Sequence, residues 1–305
     1  MNFLDFLNKF DSEEKIIEHF VTIRYGEKVK CNHCGSEKVY RRSNSKFYDC
    51  KECNNTFSIF KDTIFEKSDT DLRKWFYAIH LFLNGKKGIS GLQLQREIKV
   101  TYKTAWRILQ KIRLAMGNKE NQMFFNTILE IDETYVGGKP RKSFFNDDDD
   151  LNPPTAIVKR GRGTKKTPVV GVIDRNNKMV YAKVMMPNKE GKKLTGNQLL
   201  DILKRTSIES EKTVVMSDEF TGYNILAKTK YIHLRINHQE LYSKDGVNTN
   251  SVESFWATLK RGIYGIYHHV SVKYLQKYVD EFCFRYNNRK MNMFDMVLKQ
   301  AILVN

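Results

Sequence analysis

The stretch Thr127–Gly138, TILEIDETYVGG, decides how the second half of the chain is read. Its apolar run predicts a strand in which Ile128, Glu130 and Asp132 share one face by period-two alternation, and Gly137-Gly138 ends it. Downstream, PVVGVIDRNNKMVYAKVM predicts a hairpin with Asp174-Arg175-Asn176-Asn177 at its turn, where Asp174 is read as a turn residue. Asn197–Leu203 reads as a helix, Val214–Met216 as a short buried strand leading to Asp218, and YIHLRINHQ as another extended segment. Strands interleaved with helices in this order predict an α/β domain built on a mixed sheet, starting near Phe124.

The next stretch to weigh is NSVESFWATLK, residues 250–260. Val252, Phe255, Trp256 and Leu259 fall at helical spacing as an apolar stripe, and Glu253 and Lys260, seven apart, stack on the opposite face. Two readings stay open here. Asn250 and Glu253 fit a capping box with Lys260 as a solvated lysine, or Glu253 is a carboxylate held for a metal ion. A last helix is expected from about Ser271 to Asn288, with Leu275, Tyr278, Val279, Phe282 and Tyr286 inward and Cys283 an inert thiol.

Upstream, Cys31-x2-Cys34 and Cys50-x2-Cys53 make the sharpest local signal. Each pair sits on a tight knuckle, and two knuckles offer four thiolates to one structural Zn²⁺. KVYRR, KFYDC and TFSI supply short strands, which predicts a zinc ribbon with His33 as a bystander. The ribbon carries nine basic and five acidic residues between Arg24 and Asp62, and Arg41 and Arg42 are its candidate phosphate contacts. Ser68 or Asp69 is read as capping a helix through Leu72, Trp75, Phe76, Ile79 and Phe82. Ser90 opens a short second helix and Thr101 a third, whose Tyr102, Lys103, Thr104, Arg107, Lys111 and Arg113 give it helix-turn-helix character. The first 22 residues read as short amphipathic helices that pack on a neighbour or a second subunit.

The formal net charge is +17, from 52 lysines and arginines against 35 acidic residues, so polyanions are the natural partners. An anionic membrane surface fits less well, since no segment sets its basic residues opposite a broad apolar face. No apolar run is long enough to span a bilayer and the opening MNFLDFLNKFDSEEK is no signal peptide, so the expected location is the cytoplasm. The polar segment 139–168 holds eight basic residues, and its KRGRGTKK portion is a candidate phosphate-binding loop through Arg160, Arg162, Lys165 and Lys166. Asp147–Asp150 within it reads as an acidic loop rather than a metal site.

Asp132 ends or interrupts a first strand, Asp218 ends a later one, and Glu253 arrives on a helix. Three clustered carboxylates repel one another unless a divalent cation neutralises them, and an oxygen-only set suits Mg²⁺ or Mn²⁺. Two such ions activate an attacking hydroxyl and stabilise a departing oxygen without a protein nucleophile. Lys260 is the candidate phosphate contact, Arg261 a further DNA contact, and Asn250 a candidate for positioning a water or a terminal base.

IDETYVGGK, SDEFTGY and NTNSVESFWATLKRGIYGIYHHVS resemble the IS1595-type insertion-sequence transposases, whose catalytic region is the ISXO2-like transposase domain. The resemblance runs from the four-cysteine ribbon through YKTAWRILQKIR to FRYNNRK at 284–290. It implies an RNase H-like fold and a DDE-type acidic triad at Asp132, Asp218 and Glu253, with Lys260 matching the lysine after the third acid. Some relatives have asparagine as that third acid, and the histidine usual before the Asn-Thr-Asn run is absent, with Gly246-Val247 in its vicinity. The implied activity is cleavage at terminal inverted repeats on double-stranded DNA, followed by joining of the 3′-hydroxyl ends to target DNA. The implied assembly is a homodimer or higher oligomer on DNA. A DNA-binding regulator derived from a transposase, or an RNase H-like nuclease that cuts without joining, are the alternatives. The expected layout is an N-terminal helical segment (1–22), a zinc ribbon (23–62), a helix-turn-helix-like domain (63–120) and an RNase H-like catalytic domain (121–305) with the basic insertion.

Overall fold

The computed structural model describes residues 2–43, 45–117, 127–137, 166–187, 194–236 and 247–302. They divide into two compact units, Met1–Asn121 with Asp280–Asn305, and Gln122–Val279.

In the first unit, helices α1 (Phe3–Lys9) and α2 (Glu13–Tyr25) start at Asn2 and Ser12, whose side chains accept amide hydrogen bonds from the first turns. Three short strands, β1 (Val39–Arg41), β2 (Phe47–Cys50) and β3 (Thr56–Ser58), pair antiparallel in that order. Helix α3 (Leu72–Asn84) is capped by Asp71, whose carboxylate takes the amides of Arg73 and Lys74, rather than by Ser68 or Asp69. Ser68 instead accepts the Trp75 indole N–H at 2.8 Å. Helices α4 (Gly91–Ile98) and α5 (Tyr102–Met116) follow, capped by Ser90 and Thr101 as read, with Lys99 left-handed at φ 49° in the turn between them.

The C-terminal residues correct the expected layout. Helix α8 (Val272–Asn287) is followed by α9 (Met293–Ile302), which the sequence reading did not anticipate. Phe294, Val297, Leu298 and Ala301 of α9 join the core of Phe10, Phe76 and Ile112, and the Ala301 carbonyl accepts from the Ile64 amide. Residues from Asp280 onward therefore pack with the first compact unit and not with the sheet. Glu281 bridges Arg113 at 2.8 Å and Arg285 at 2.9 Å, all three buried, and Arg285 also donates to the Phe82 carbonyl at 2.7 Å.

The second unit is a five-stranded sheet of β4 (Ile128–Val136), β5 (Thr167–Asp174), β6 (Met179–Val184), β7 (Val214–Ser217) and β8 (Ile232–Arg235). Its spatial order is β6-β5-β4-β7-β8, with β4–β5 and β5–β6 antiparallel and β4–β7 and β7–β8 parallel. Numbered within the domain, this is 3-2-1-4-5, the mixed-sheet arrangement of an RNase H-like fold. Leu129, Ile131, Val170 and Val172 pack on one face against Leu199, Ile202 and Leu203 of helix α6 (Gly196–Thr206). The other face receives helix α7 (Asn250–Gly262), whose Val252, Phe255, Trp256 and Leu259 are buried as the periodicity predicts. Asp174 ends β5 as a turn residue, accepting from the amides of Asn176 and Asn177. No described helix is long and apolar enough to cross a membrane.

Candidate active site and zinc centre

The zinc ribbon repeats one local device twice. Gly35 N–H donates to the Cys31 carbonyl at 2.9 Å and Asn54 N–H to the Cys50 carbonyl at 3.0 Å, with φ of 75° and 54° at Gly35 and Asn54. Each knuckle thus turns its two thiols toward the same point. The four sulfurs lie within 4.8 Å of one another, with Cys31–Cys53 at 3.7 Å and Cys34–Cys50 at 3.6 Å. A tetrahedron with Zn–S near 2.3 Å has edges of about 3.8 Å, so the set fits Zn²⁺ closely. The Asn55 backbone amide, helped by its side-chain amide and the neighbouring thiols, pulls the Cys53 thiol down to about 6, which favours the thiolate a metal binds.

In the α/β unit, strand register brings two carboxylates level. The last parallel pair is Glu130 with Met216, so Asp132 and Asp218, each two residues further along, stand side by side just past the end of β7. The Phe220 amide donates to Asp218 at 3.0 Å. Asp132 faces α7, and the Trp256 indole N–H donates to it at 3.0 Å. That contact depends on Gly171, the cross-strand neighbour of Asp132, because a Cβ there would lie 2.7 Å from the indole ring.

Glu133 completes the cluster: Asp132, Glu133 and Asp218 place carboxylate oxygens within 4.8 Å of one another. It points to the face opposite Asp132, where the fully buried Tyr223 hydroxyl donates to it at 3.1 Å, and the two faces meet because β7 has ended. Alternation had set Glu133 aside, and the strand does not end at Asp132: β4 runs on through Asp132 and Glu133 to Val136, paired with β5 throughout. Desolvation, then the charges of Glu133 and Asp218, push the Asp132 carboxyl up to about 8. Oxygens of an octahedral Mg²⁺ shell lie roughly 3–4 Å apart, so this oxygen-only, mutually repelling set suits a hard divalent cation.

Glu253 lies in the first turn of α7, exposed, accepting from the Thr249 hydroxyl at 3.0 Å and outside the Asp132–Glu133–Asp218 cluster. The capping box is not formed: Thr249 occupies the cap position and Asn250 is the first helical residue, exposed, its amide donating to Asn248. Lys260 is half-buried rather than solvated; desolvation lowers its pKa while the Asp132 charge opposes that shift. Trp256 lies on Asp132, and Glu253 and Lys260, three residues before it and four after, share that flank of the helix instead of the face opposite the apolar stripe.

The DNA-contact candidates divide. Tyr102, Lys103 and Arg107 are exposed on α5, and Arg261 is exposed on α7. Lys166 is half-buried, next to β5. Arg42 is exposed but paired with Asp49 at 2.7 Å. Arg41 is clamped by both oxygens of Glu14 and by the Ser45 carbonyl, Lys111 is half-buried on the Ile64 carbonyl at 2.6 Å, and Arg113 is buried on Glu281. These three are tied to acceptors within the protein, as Arg107 is to the Lys67 carbonyl at 3.3 Å. Arg160, Arg162, Lys165 and the aspartate run Asp147–Asp150 lie outside the described residues.

A four-thiol ribbon, a helical module and an RNase H-like sheet that carries an acidic cluster define a zinc-ribbon protein of the DDE type. Residues 126–287 match the ISXO2-like transposase domain and residues 11–56 the transposase zinc-ribbon domain, and the chain belongs to the ISXO2-like transposase family. A Halobacterium salinarum protein described as "Uncharacterized protein in transposable element ISH50" is 33% identical over 177 residues, 55% of this chain and 57% of that protein. A Haemophilus influenzae "Uncharacterized transposase-like protein" is 26% identical over 90 residues, 30% of this chain and 72% of the relative. The match thus spans a little over half the length of the first of these relatives. Among solved structures, a simian T-cell lymphotropic virus intasome aligns with TM-score 0.32 and 12% identity, covering 66% of this chain and 65% of that one. The Mos1 strand transfer complex aligns with TM-score 0.30 and 14% identity over 78% and 80%. Likenesses of that size carry no argument about activity.

Proposed function

We propose that the chain is a DNA transposase that binds the terminal inverted repeats of an insertion sequence, cleaves there and joins the freed 3′-hydroxyl ends to target DNA. The observation that carries the reading is the β4–β7 register, which levels Asp132 with Asp218 beside the flank of α7 that bears Glu253 and Lys260. Asp132 and Asp218 would hold Mg²⁺ or Mn²⁺, with Glu253 as the third ligand from α7 and Glu133 as a further carboxylate at the same point. Bound there, a pair of divalent ions supplies activation of the attacking hydroxyl and charge neutralisation at the departing oxygen. Trp256 fixes the orientation of Asp132 through its indole N–H, and Lys260 meets the phosphate beside the cut. Asn250, exposed at the helix start, would contact a water or a terminal base.

Tyr102, Lys103 and Arg107 would place α5 against double-stranded DNA, with Lys166, Arg261 and the segment around Arg160, Arg162 and Lys165 as further phosphate contacts. Holding two ends together calls for at least a dimer on DNA. The test is a labelled terminal-repeat duplex with Mg²⁺ or Mn²⁺. Wild type releases and joins 3′ ends, while Asp132→Asn and Asp218→Asn lower both by about 10³-fold, the loss of several kcal/mol of metal stabilisation at about 1.4 kcal/mol per tenfold. Joining unchanged in either variant would sink the assignment; cutting without joining by wild type would make the chain a nuclease.

A further inference from the structure

Glu130 is fully buried two residues before Asp132, on the same face of β4, yet outside the carboxylate cluster. Both its oxygens are engaged. Oε1 accepts from Arg175 Nε at 2.5 Å, and Oε2 accepts from the backbone amides of Ser251 at 2.9 Å and Val252 at 3.0 Å. Those amides belong to the first turn of α7, which has no side-chain cap of its own. A carboxylate from the central strand therefore takes the place of the missing cap. Arg175, the first residue after β5, extends its other arm to Asn248, meeting the carbonyl at 2.7 Å and Oδ1 at 2.6 Å. Asn248 Oδ1 in turn accepts from the Asn250 amide at 3.2 Å.

Strand β4, the β5 turn and the start of α7 are thus tied into one ring of charge-assisted hydrogen bonds. An apolar residue at position 130 would bury α7 against the sheet without fixing its height or rotation. The ring fixes both, and the residue after the two held amides is Glu253. One turn further, Trp256 touches Asp132, so α7 is pinned to β4 at two points on either side of Glu253 along the helix face.

We propose that Glu130, Arg175 and Asn248 are positioning residues that set the approach of Glu253 to Asp132 and Asp218, and so the affinity of the site for divalent metal. This rests on the reading of Glu253 as the third ligand. The test uses the full-length protein and Mn²⁺ alone, following bound metal by electron paramagnetic resonance, with thermal unfolding recorded for each variant. Glu130→Gln and Arg175→Lys are expected to raise half-saturating Mn²⁺ by about 10- to 100-fold, the usual effect of removing a partner that orients a ligand. Asn248→Ala, at the half-buried rim of the ring, is expected to shift it in the same direction with little loss of melting temperature, and carries the test if Glu130→Gln does not fold. Glu253→Gln separates the two claims. Weaker binding in Glu253→Gln with wild-type binding in Glu130→Gln and Asn248→Ala overturns the clamp alone. Wild-type binding in all of them overturns the third-ligand reading as well. Loss of melting temperature without a change in Mn²⁺ affinity would make the ring structural only, and the proposal would be wrong.

Discussion

The thiol cluster and the carboxylate cluster gather candidate metal-binding side chains by opposite means. The cysteines come from two adjacent knuckles, each closed by its own turn hydrogen bond and a left-handed Gly35 or Asn54. The carboxylates come from β4 and from the residue after β7, and they meet only because parallel pairing stops at Glu130–Met216. A local device makes a centre that holds a small fold together. A register makes a centre whose half-buried carboxylates repel one another, with Asp132 pushed up to about 8.

The largest contrast should appear on removing metal. Stripping zinc, or Cys50→Ser, is expected to unfold residues 31–58, since structural zinc contributes roughly 10–16 kcal/mol in such sites. Zinc content and amide exchange over the ribbon read this out, and a ribbon protected from exchange after stripping would end the contrast. The carboxylate centre should behave in the reverse sense. The raised pKa of Asp132 means the folded state binds a proton that the unfolded chain has released above about 4. Its contribution to stability is complete below the ordinary carboxylate pKa and is lost as pH rises toward 8. Melting temperatures in chelator should therefore fall further behind those of Asp132→Asn between pH 5 and pH 8, a window set by that shift, and Mg²⁺ should close the gap. Parallel curves for the two proteins would contradict this.

Two smaller effects sharpen the same comparison. Gly171→Ala drives a methyl into the Trp256 indole and is expected to cost about 1–3 kcal/mol by overpacking, with weaker cleavage because Asp132 loses its donor. Denaturant melts and the cleavage assay measure it together. On α5, Lys103→Ala should weaken binding to any duplex and reduce the salt slope by about one. Lys111→Ala should leave that slope unchanged and lower stability, because its ammonium already serves the Ile64 carbonyl. Fluorescence anisotropy at several salt concentrations distinguishes them.

What was legible in the sequence follows from the same distinction. The cysteine spacing, the caps at Ser90 and Thr101, the hairpin turn at Asp174 and the buried face of α7 are local patterns and could be read directly. Asp218 was legible as the residue after a strand and Asp132 as one on a strand face, though not that β4 continues past it to Val136; Glu133 was missed because its place depends on where the neighbouring β7 stops. Glu130 looked like one more polar residue on a strand face, since its partners Arg175, Ser251 and Val252 are supplied by tertiary packing. Arg41, Lys111 and Arg113 looked free for DNA because the groups that hold them, Glu14, the Ile64 carbonyl and Glu281, lie far away in sequence. The placement of α9 escaped for the same reason: its apolar face matches the core of α3 and α5 rather than that of the sheet.

The most direct test of the account counts both metals on one protein. Zinc and Mn²⁺ are measured on wild type and on the Asp132→Asn, Asp218→Asn double variant, prepared identically and refilled with Mn²⁺. The account predicts unchanged zinc in both proteins and bound Mn²⁺ in the wild type alone. Equal Mn²⁺ binding by the two proteins would contradict it.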